Sequence, residues 1–183
     1  RSWFLAHKQD YEAHLLAPTR ALGEQVYEAL HAAFPKEPFL LKLSRIYRDA
    51  RRLHGNGPYK DHLWFCVRAG GEDWTGRPTF YFEIGPDYYS YGMGFWAPKA
   101  ALMEAYRKAV DEHPEVLEKL VKRFNKQAQF TLSGPEYARK KTAPSPLLAA
   151  WYNKKSINLQ HDAAPDERMF SPELAQDIIE GFR

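Results

Sequence analysis

The chain has 183 residues and 44% of them are apolar, which is enough for the core of a compact domain and excludes a disordered or collagen-like chain. Its formal net charge is only +3, and no segment approaches the roughly 18 unbroken apolar residues of a membrane-spanning helix. We therefore expect a single domain over residues 1–183 with no membrane segment. Because Cys66 is the only cysteine, an internal disulfide is excluded, and we place the protein in the reducing cytoplasm.

The N-terminal segment is predicted to be helical. The chain opens with RSWFLAHKQDYEAH, which lacks an initiator Met and carries Trp3 and Phe4 at its edge, so we interpret its start as truncated. A short helix is expected over residues 10–16. A longer helix is expected over residues 18–34, where apolar side chains recur every four residues at Leu22, Val26, Leu30 and Phe34.

The middle of the chain is predicted to form strands. Short segments rich in aromatic and β-branched residues, separated by turn-forming residues, occur at residues 41–47, 63–69, 79–84 and 89–96. In the last of these segments, Gly92 and Gly94 occupy one face. The glycines either let a ligand slide over an aromatic wall or leave room for a large side chain across the sheet, and we favour the second interpretation.

The order of the elements predicts the fold class. Helices are expected over residues 98–112, 114–126, 146–151 and 172–182, and further strands over residues 129–132 and 157–160. A helix, then three or four strands, then helices, is typical of an α+β fold with an antiparallel sheet covered on one face. Because β-α-β alternation is absent, a parallel Rossmann-type sheet is not expected.

Positive charge is concentrated in residues 42–60. This stretch holds six lysines and arginines against a single acid, Asp49, so it carries a net +5 in a chain whose total is +3. If the strand of residues 41–47 forms, Arg45 joins its core-facing apolar row and needs a carboxylate partner, either Asp49 or Glu83. Such pairing accounts for only one or two of the arginines.

The remaining charge predicts a site for a small anion. Arginine side chains and the backbone N–H groups of the Gly-rich turn LHGNGPYK suit a carboxylate or a phosphate. If the protein is an enzyme, Asp49 or His62 is the expected proton carrier, with Asp49 also orienting an arginine. A purely structural or solvated basic face is the alternative. The expected ligand-binding residues are Arg45, Arg48, Arg51 and Lys60, flanked by Tyr59 and Tyr91.

Several motifs resemble those of an uncharacterised family found in bacteria and fungi. They are the run Arg45-Ile46-Tyr47-Arg48-Asp49, the later Pro58-Tyr59-Lys60, the opening Trp3-Phe4 with Tyr11, and YYSYGMGFWAP ahead of a helix. Asn56-Gly57 stands where the family usually has an Asp-Lys pair. The family is a conserved domain of unknown function, so the resemblance implies the fold and the location of the site and no reaction.

Other kinds of site are disfavoured. The histidines show no HxH or HExxH spacing, no cofactor-binding motif is present, and Cys66 lies in the apolar run LWFCV, so we expect no metal, no cofactor and no cysteine nucleophile. The leading hypothesis is a protein that binds a small phosphate- or carboxylate-bearing ligand, and whether it is an enzyme stays open. The alternative is a non-catalytic module that docks an acidic protein or nucleic acid. Nucleic acid is disfavoured by the low net charge and by the absence of a known module signature.

Overall fold

The computed structural model describes residues 2–49, 51, 57–71 and 74–183. Helices make up its N-terminal part, and both helices expected there are confirmed, the first of them with π-helical geometry over most of its length. In chain order these elements are α1 (Ser2–Ala6), α2 (Lys8–Tyr11), a π-helical turn (Glu12–Leu16) and α3 (Ala17–Ala33).

The π-helical turn has a local cause in Pro18. Proline has no N–H, and its ring clashes with the carbonyl four residues earlier in a regular α-helix. In the wider π turn, the N–H of Ala17 donates to the carbonyl of Glu12. The chain therefore passes the proline and continues into α3 without an α-helical hydrogen bond at that position.

Six strands form one antiparallel sheet, so the predicted α+β fold class is confirmed. Their bounds are β1 (Phe39–Leu43), β2 (Leu63–Ala69), β3 (Thr79–Ile84), β4 (Tyr89–Gly94), β5 (Thr131–Ser133) and β6 (Asn158–Ala163). The strand order in the sheet is β1-β2-β3-β4-β6-β5. β2 and β3 coincide with the expected strands, because each is a short apolar or alternating segment between turn-forming residues.

The remaining helices lie within a few residues of their expected positions. They are α4 (Ala100–Glu112), α5 (Pro114–Phe124), α6 (Ala149–Tyr152) and α7 (Glu173–Phe182), with 3-10 turns at Trp74–Gly76, Pro146–Leu148 and Glu167–Phe170. α4 begins at Ala100 rather than at Pro98, because Lys99 has an extended backbone with φ −64° and ψ 146°. Pro98 therefore precedes the helix instead of forming its first turn.

The chain divides into two compact units, and each has its own core. Unit 1 comprises Arg1–Gly70, Phe80–Tyr91 and Asp162–Arg183, and unit 2 comprises Gly71–Thr79 and Gly92–His161. The assignment of residues 1–183 to a single domain stays a prediction. Buried residues of unit 1 include Val26, Leu30, Phe65, Phe82, Tyr91 and Ile178. The core of unit 2 includes Val110, Val121, Leu148 and Tyr152.

β1 ends earlier than the sequence predicts, and this changes the position of Arg45. The strand stops at Leu43, after which the N–H of Ser44 donates to the carbonyl of Trp64 at 2.7 Å. The Ser44 hydroxyl oxygen also accepts from the N–H of Trp64 at 3.0 Å. Since the strand ends here, Arg45 is exposed, and the prediction that it continues the core-facing row is wrong.

Gly92 and Gly94 lie where β4 and β6 approach each other closely. A Cβ added to Gly92 would lie 2.1 Å from the carbonyl oxygen of Leu159, and one added to Gly94 would lie 1.9 Å from Oδ1 of Asn158. The glycines therefore leave room across the sheet, as the favoured interpretation holds. At Gly92, however, that room is taken by a backbone carbonyl and not by a large side chain.

Candidate anion-binding cleft

Part of the positively charged segment 42–60 forms a short two-stranded ribbon. Tyr47 and Tyr59 form an isolated antiparallel bridge. On either side of this bridge, backbone hydrogen bonds of 2.8 Å join residues 46–48 to residues 58–60. Several of the residues on which the anion hypothesis depends therefore have a defined backbone geometry.

Arg48 stabilises this ribbon. Its Nε donates to the carbonyl oxygen of Tyr59 at 2.7 Å, and its Nη2 lies 3.6 Å from Oδ1 of Asp61. The same oxygen of Asp61 is hydrogen-bonded to Nδ1 of His62 at 2.9 Å, which holds the pKa of Asp61 below its usual value. The guanidinium group of Arg48 is therefore partly engaged in contacts within the protein. The ring of His62 is oriented by the neighbouring carboxylate of Asp61.

Asp49 and Arg51 are paired with each other. Oδ1 of Asp49 accepts from Nε of Arg51 at 3.0 Å and Oδ2 accepts from Nη2 at 2.7 Å, and this pairing raises the pKa of Arg51. The Arg51 side chain is 87% exposed. Asp49 therefore orients Arg51, whose charge it neutralises. Arg52 of the basic stretch and Asn56 of the family motif lie outside the described residues.

Lys60 lies among like charges. Its Nζ is 5.5 Å from the centre of the Trp64 ring. Burial lowers the pKa of Lys60, and the guanidinium groups of Arg45 and Arg48 lower it further, while Glu83 acts in the opposite direction. The structure therefore brings Arg45, Arg48 and Lys60 close enough for their charges to repel one another.

Arg45 has no carboxylate partner within the described part of the chain. Glu83, one of its two expected partners, accepts a hydrogen bond of 2.5 Å from the Tyr88 hydroxyl. The other expected partner, Asp49, is paired with Arg51. The expectation that Arg45 is ion-paired is wrong, because an exposed guanidinium stays hydrated and has no desolvation penalty to offset.

Arg45 lines an open cleft of about 310 Å³ in unit 1. Residues 43–47 form one wall, and Lys8 and Glu12 of the other wall form an ion pair of 3.3 Å. Among the described residues Arg20, like Arg45, has no hydrogen-bond or ion-pair partner. The second wall consists of Phe4, Lys8, Tyr11, Glu12, Leu16 and Arg20.

The π-helical turn and Tyr11 just before it form part of this cleft. Burial raises the pKa of Tyr11. The neighbouring Glu12 and Tyr47 raise this pKa further, whereas Arg20 lowers it. The Tyr11 hydroxyl therefore stays protonated at neutral pH, and it is available as a hydrogen-bond donor to an anion. π-helical turns are rare and occur frequently at functional sites, so this feature agrees with the position of the cleft.

The comparison with protein families agrees with the motifs noted in the sequence. The model of the conserved hypothetical protein family DUF2461 matches residues 1–183. The chain belongs to this family. Membership confirms the resemblance drawn from residues 45–49 and 58–60, and the description of the family names no activity. A comparison with curated proteins gives no match. The function of this family member therefore has to be argued from the site itself.

Tyr91 is placed in the core of unit 1 and not at the surface with Arg45. Its side chain is 3% exposed. Its ring is parallel to that of Tyr89 at 6.5 Å and meets the ring of Phe182 edge-on at 6.3 Å. Among the sequence-derived candidates, the structure thus groups Arg45, Arg48 and Lys60 with Tyr59, and it assigns Tyr91 to packing.

The described residues give little support to a reactive cysteine or to a metal site. Cys66 is buried, and burial raises the pKa of its thiol, which is the behaviour of an unreactive core cysteine. Within the ranges that the structure describes, His, Cys, Asp and Glu side chains form no group of three that could bind a metal ion. No helix of those ranges has the length and apolar character to cross a membrane.

Sequence reasoning does not identify Tyr11 and Arg20 as members of the site. A signal for Tyr11 is present, since it belongs with Trp3 and Phe4 to the motifs shared with the family. Arg20 has no such signal, because a lone arginine on an amphipathic helix is typical of a solvated face. Only the fold places Arg20 on the same cleft as Arg45.

We expect Lys60 to lose its proton at lower pH than an ordinary lysine side chain, because burial and the two guanidinium groups disfavour its charged form. Between the pKa of Lys60 in the folded protein and its ordinary value, the unfolded chain binds more protons than the folded protein does. The free energy of unfolding therefore rises with pH in this window. Amine acylation with a limiting reagent over a pH series, followed by peptide mass spectrometry, measures the titration midpoint of Lys60. A titration midpoint of Lys60 at or above the ordinary value for a lysine side chain would contradict this prediction.

Proposed function

We propose that this member of the DUF2461 family binds a small ligand bearing a phosphate or carboxylate group in the cleft. Arg20 and Arg45 contact the anion, and Lys60 adds positive charge beside Arg45. The observation that carries the proposal is that one cleft is lined by two arginines whose guanidinium groups have no partner in the described residues. Guanidinium groups are well suited to such ligands, because they donate two parallel hydrogen bonds to carboxylate or phosphate oxygens.

The crowding of cations supports the same proposal. Burial is the largest cause of the lowered pKa of Lys60, and Arg45 and Arg48 add to it because they destabilise its charged form. An anion bound next to these groups offsets their repulsion and returns the pKa of Lys60 towards its ordinary value. Ionisable groups perturbed in this way are often found at functional sites.

The size of the cleft favours a small molecule over the docking of an acidic protein. Its volume of about 310 Å³ lies at the lower end of the roughly 300–1,000 Å³ that is usual for small-molecule sites. If the protein is an enzyme, His62 is the stronger candidate for the proton carrier, because its Nδ1 is hydrogen-bonded to Asp61. Asp49 is a weaker candidate for a proton carrier, because both of its carboxylate oxygens accept hydrogen bonds from Arg51.

We expect Arg45→Gln to abolish the stabilisation of the protein by small anions while leaving the unliganded fold intact. Arg45 is exposed and makes no ion pair with a described residue, so its loss breaks no stabilising contact of the unliganded fold. A ligand at about 100 times its dissociation constant adds about 2.7 kcal/mol, which is about 5–10 °C in melting temperature for a chain of this size. A thermal-shift screen of phosphate, sugar phosphates, nucleotides and dicarboxylates measures this.

The matched control for this experiment is Arg139→Gln, which removes an exposed arginine that does not line the cleft. The control should keep the full ligand-induced shift. An anion that stabilises Arg45→Gln as much as the wild type would refute the site. A shift seen only with nucleic acid, and lost steeply as salt rises, would instead favour the docking module.

A further inference from the structure

We propose that the ligand of this cleft carries a flat ring beside its anionic group, as a nucleoside monophosphate does, and that the ring stacks on Tyr47. This inference rests on the proposed function and specifies the class of ligand. It starts from the mixed character of the lining, which contains Arg20 and Arg45 together with aromatic and aliphatic residues. A bare phosphate would use only the cations and leave the apolar wall in contact with water.

Tyr47 has the properties of a stacking platform. Tyr47 lines the cleft and is 52% exposed, although large aromatic side chains are usually well buried. The ring is held by Tyr59, with ring centres 5.4 Å apart, and by Phe4, which it meets edge-on at 6.4 Å. The backbone bridge between Tyr47 and Tyr59 fixes its base. An aromatic ring that is rigidly held and still half-exposed offers a surface for a flat ligand ring at little entropic cost.

The charge of the lining matches one phosphate monoester. Lys8, Arg20 and Arg45 carry three positive charges against the carboxylate of Glu12, so the lining is +2. A phosphate monoester carries about −1.5 to −2 at neutral pH. Because Lys8 pairs with Glu12, Arg20 and Arg45 are the groups left for the phosphate, and Arg45 lies two residues before the stacking tyrosine. The anion and the ring can therefore be bound by the same short segment.

Calorimetric titrations of the whole chain test the inference with four probes. They are inorganic phosphate, ribose 5-phosphate, adenosine monophosphate and pyridoxine 5′-phosphate, which lacks a reactive aldehyde. We expect the two ring-bearing phosphates to bind roughly tenfold or more tightly than ribose 5-phosphate, because stacking adds to the phosphate contacts. Comparing adenosine monophosphate with pyridoxine 5′-phosphate distinguishes a nucleotide from a phosphorylated pyridine as the source of the ring.

Variants of Tyr47 separate stacking from charge. Tyr47→Leu should remove the advantage of the ring-bearing probes and leave the affinity for ribose 5-phosphate unchanged. Tyr47→Phe keeps the ring and should keep that advantage. Arg45→Gln should weaken all phosphate probes together. The melting temperature of each unliganded variant establishes that the fold is retained.

The outcomes distinguish this inference from the proposal on which it rests. Equal affinities for ribose 5-phosphate and adenosine monophosphate, both dependent on Arg45, would overturn the ring and leave the anion site standing. The ring would also be overturned, and the anion site would still stand, if Tyr47→Leu bound both the nucleotide and the sugar phosphate as tightly as the wild type does. Binding of none of the four probes would overturn both the ring and the small-anion site.

Discussion

Phe65→Ala should lower the free energy of unfolding by about 3–5 kcal/mol. Phe65 is 1% exposed, and its ring lies 5.5 Å from that of Phe82 at an interplanar angle of 23°. The backbone of α3 passes directly over it, since a Cβ added to Gly23 would lie 3.2 Å from Cγ of Phe65. Truncation therefore leaves a cavity between α3 and β2 that the closely packed backbone cannot fill.

Chemical denaturation followed by circular dichroism measures this loss. Phe170→Ala is a matched control in the same unit, because Phe170 is 87% exposed and its truncation should change the free energy of unfolding by less than about 0.5 kcal/mol. Similar losses for the two variants would mean that Phe65 does not anchor α3 to the sheet. α3 also carries Arg20, so this contact supports one wall of the cleft.

Gly92→Ala should destabilise the protein by about 3 kcal/mol. The new methyl group would lie 2.1 Å from the carbonyl oxygen of Leu159 and 3.1 Å from the Cα of Gln160. These atoms belong to the backbone of β6, so they cannot move away as a flexible side chain can. The two strands must separate locally, which weakens their hydrogen bonds.

Gly76→Ala is the matched control for this substitution. Its new Cβ would be 3.9 Å from Cδ2 of Leu102, an ordinary van der Waals distance, so little change is expected. Melting temperatures of the two variants give the comparison. If Gly92→Ala melted like the wild type but lost ligand binding, the close approach of the strands would be refuted and the idea of an aromatic wall with ligand access would gain support.

Much of the fold follows from local patterns. The segments 63–69 and 79–84 become β2 and β3 with the expected bounds, because their strand-forming residues end at turn formers on both sides. The four-residue spacing of Val26 and Leu30 likewise predicts the buried stripe of α3. β1 deviates from its predicted bounds because Ser44 is engaged in hydrogen bonds with Trp64, a residue twenty positions later in the chain. A contact between residues this far apart cannot be predicted from a local sequence pattern.

The sequence by itself determined the family, the α+β class and the excess of positive charge in residues 42–60. These properties depend on residue identities and on short-range periodicity, which can be read along the chain. Only the tertiary structure decided which cations are neutralised, since it places Arg48 beside Asp61 and leaves Arg45 without a carboxylate partner among the described residues. It also decided that Arg20 lines the cleft of Arg45, because charge pairing and burial depend on distances in space between residues far apart in the chain.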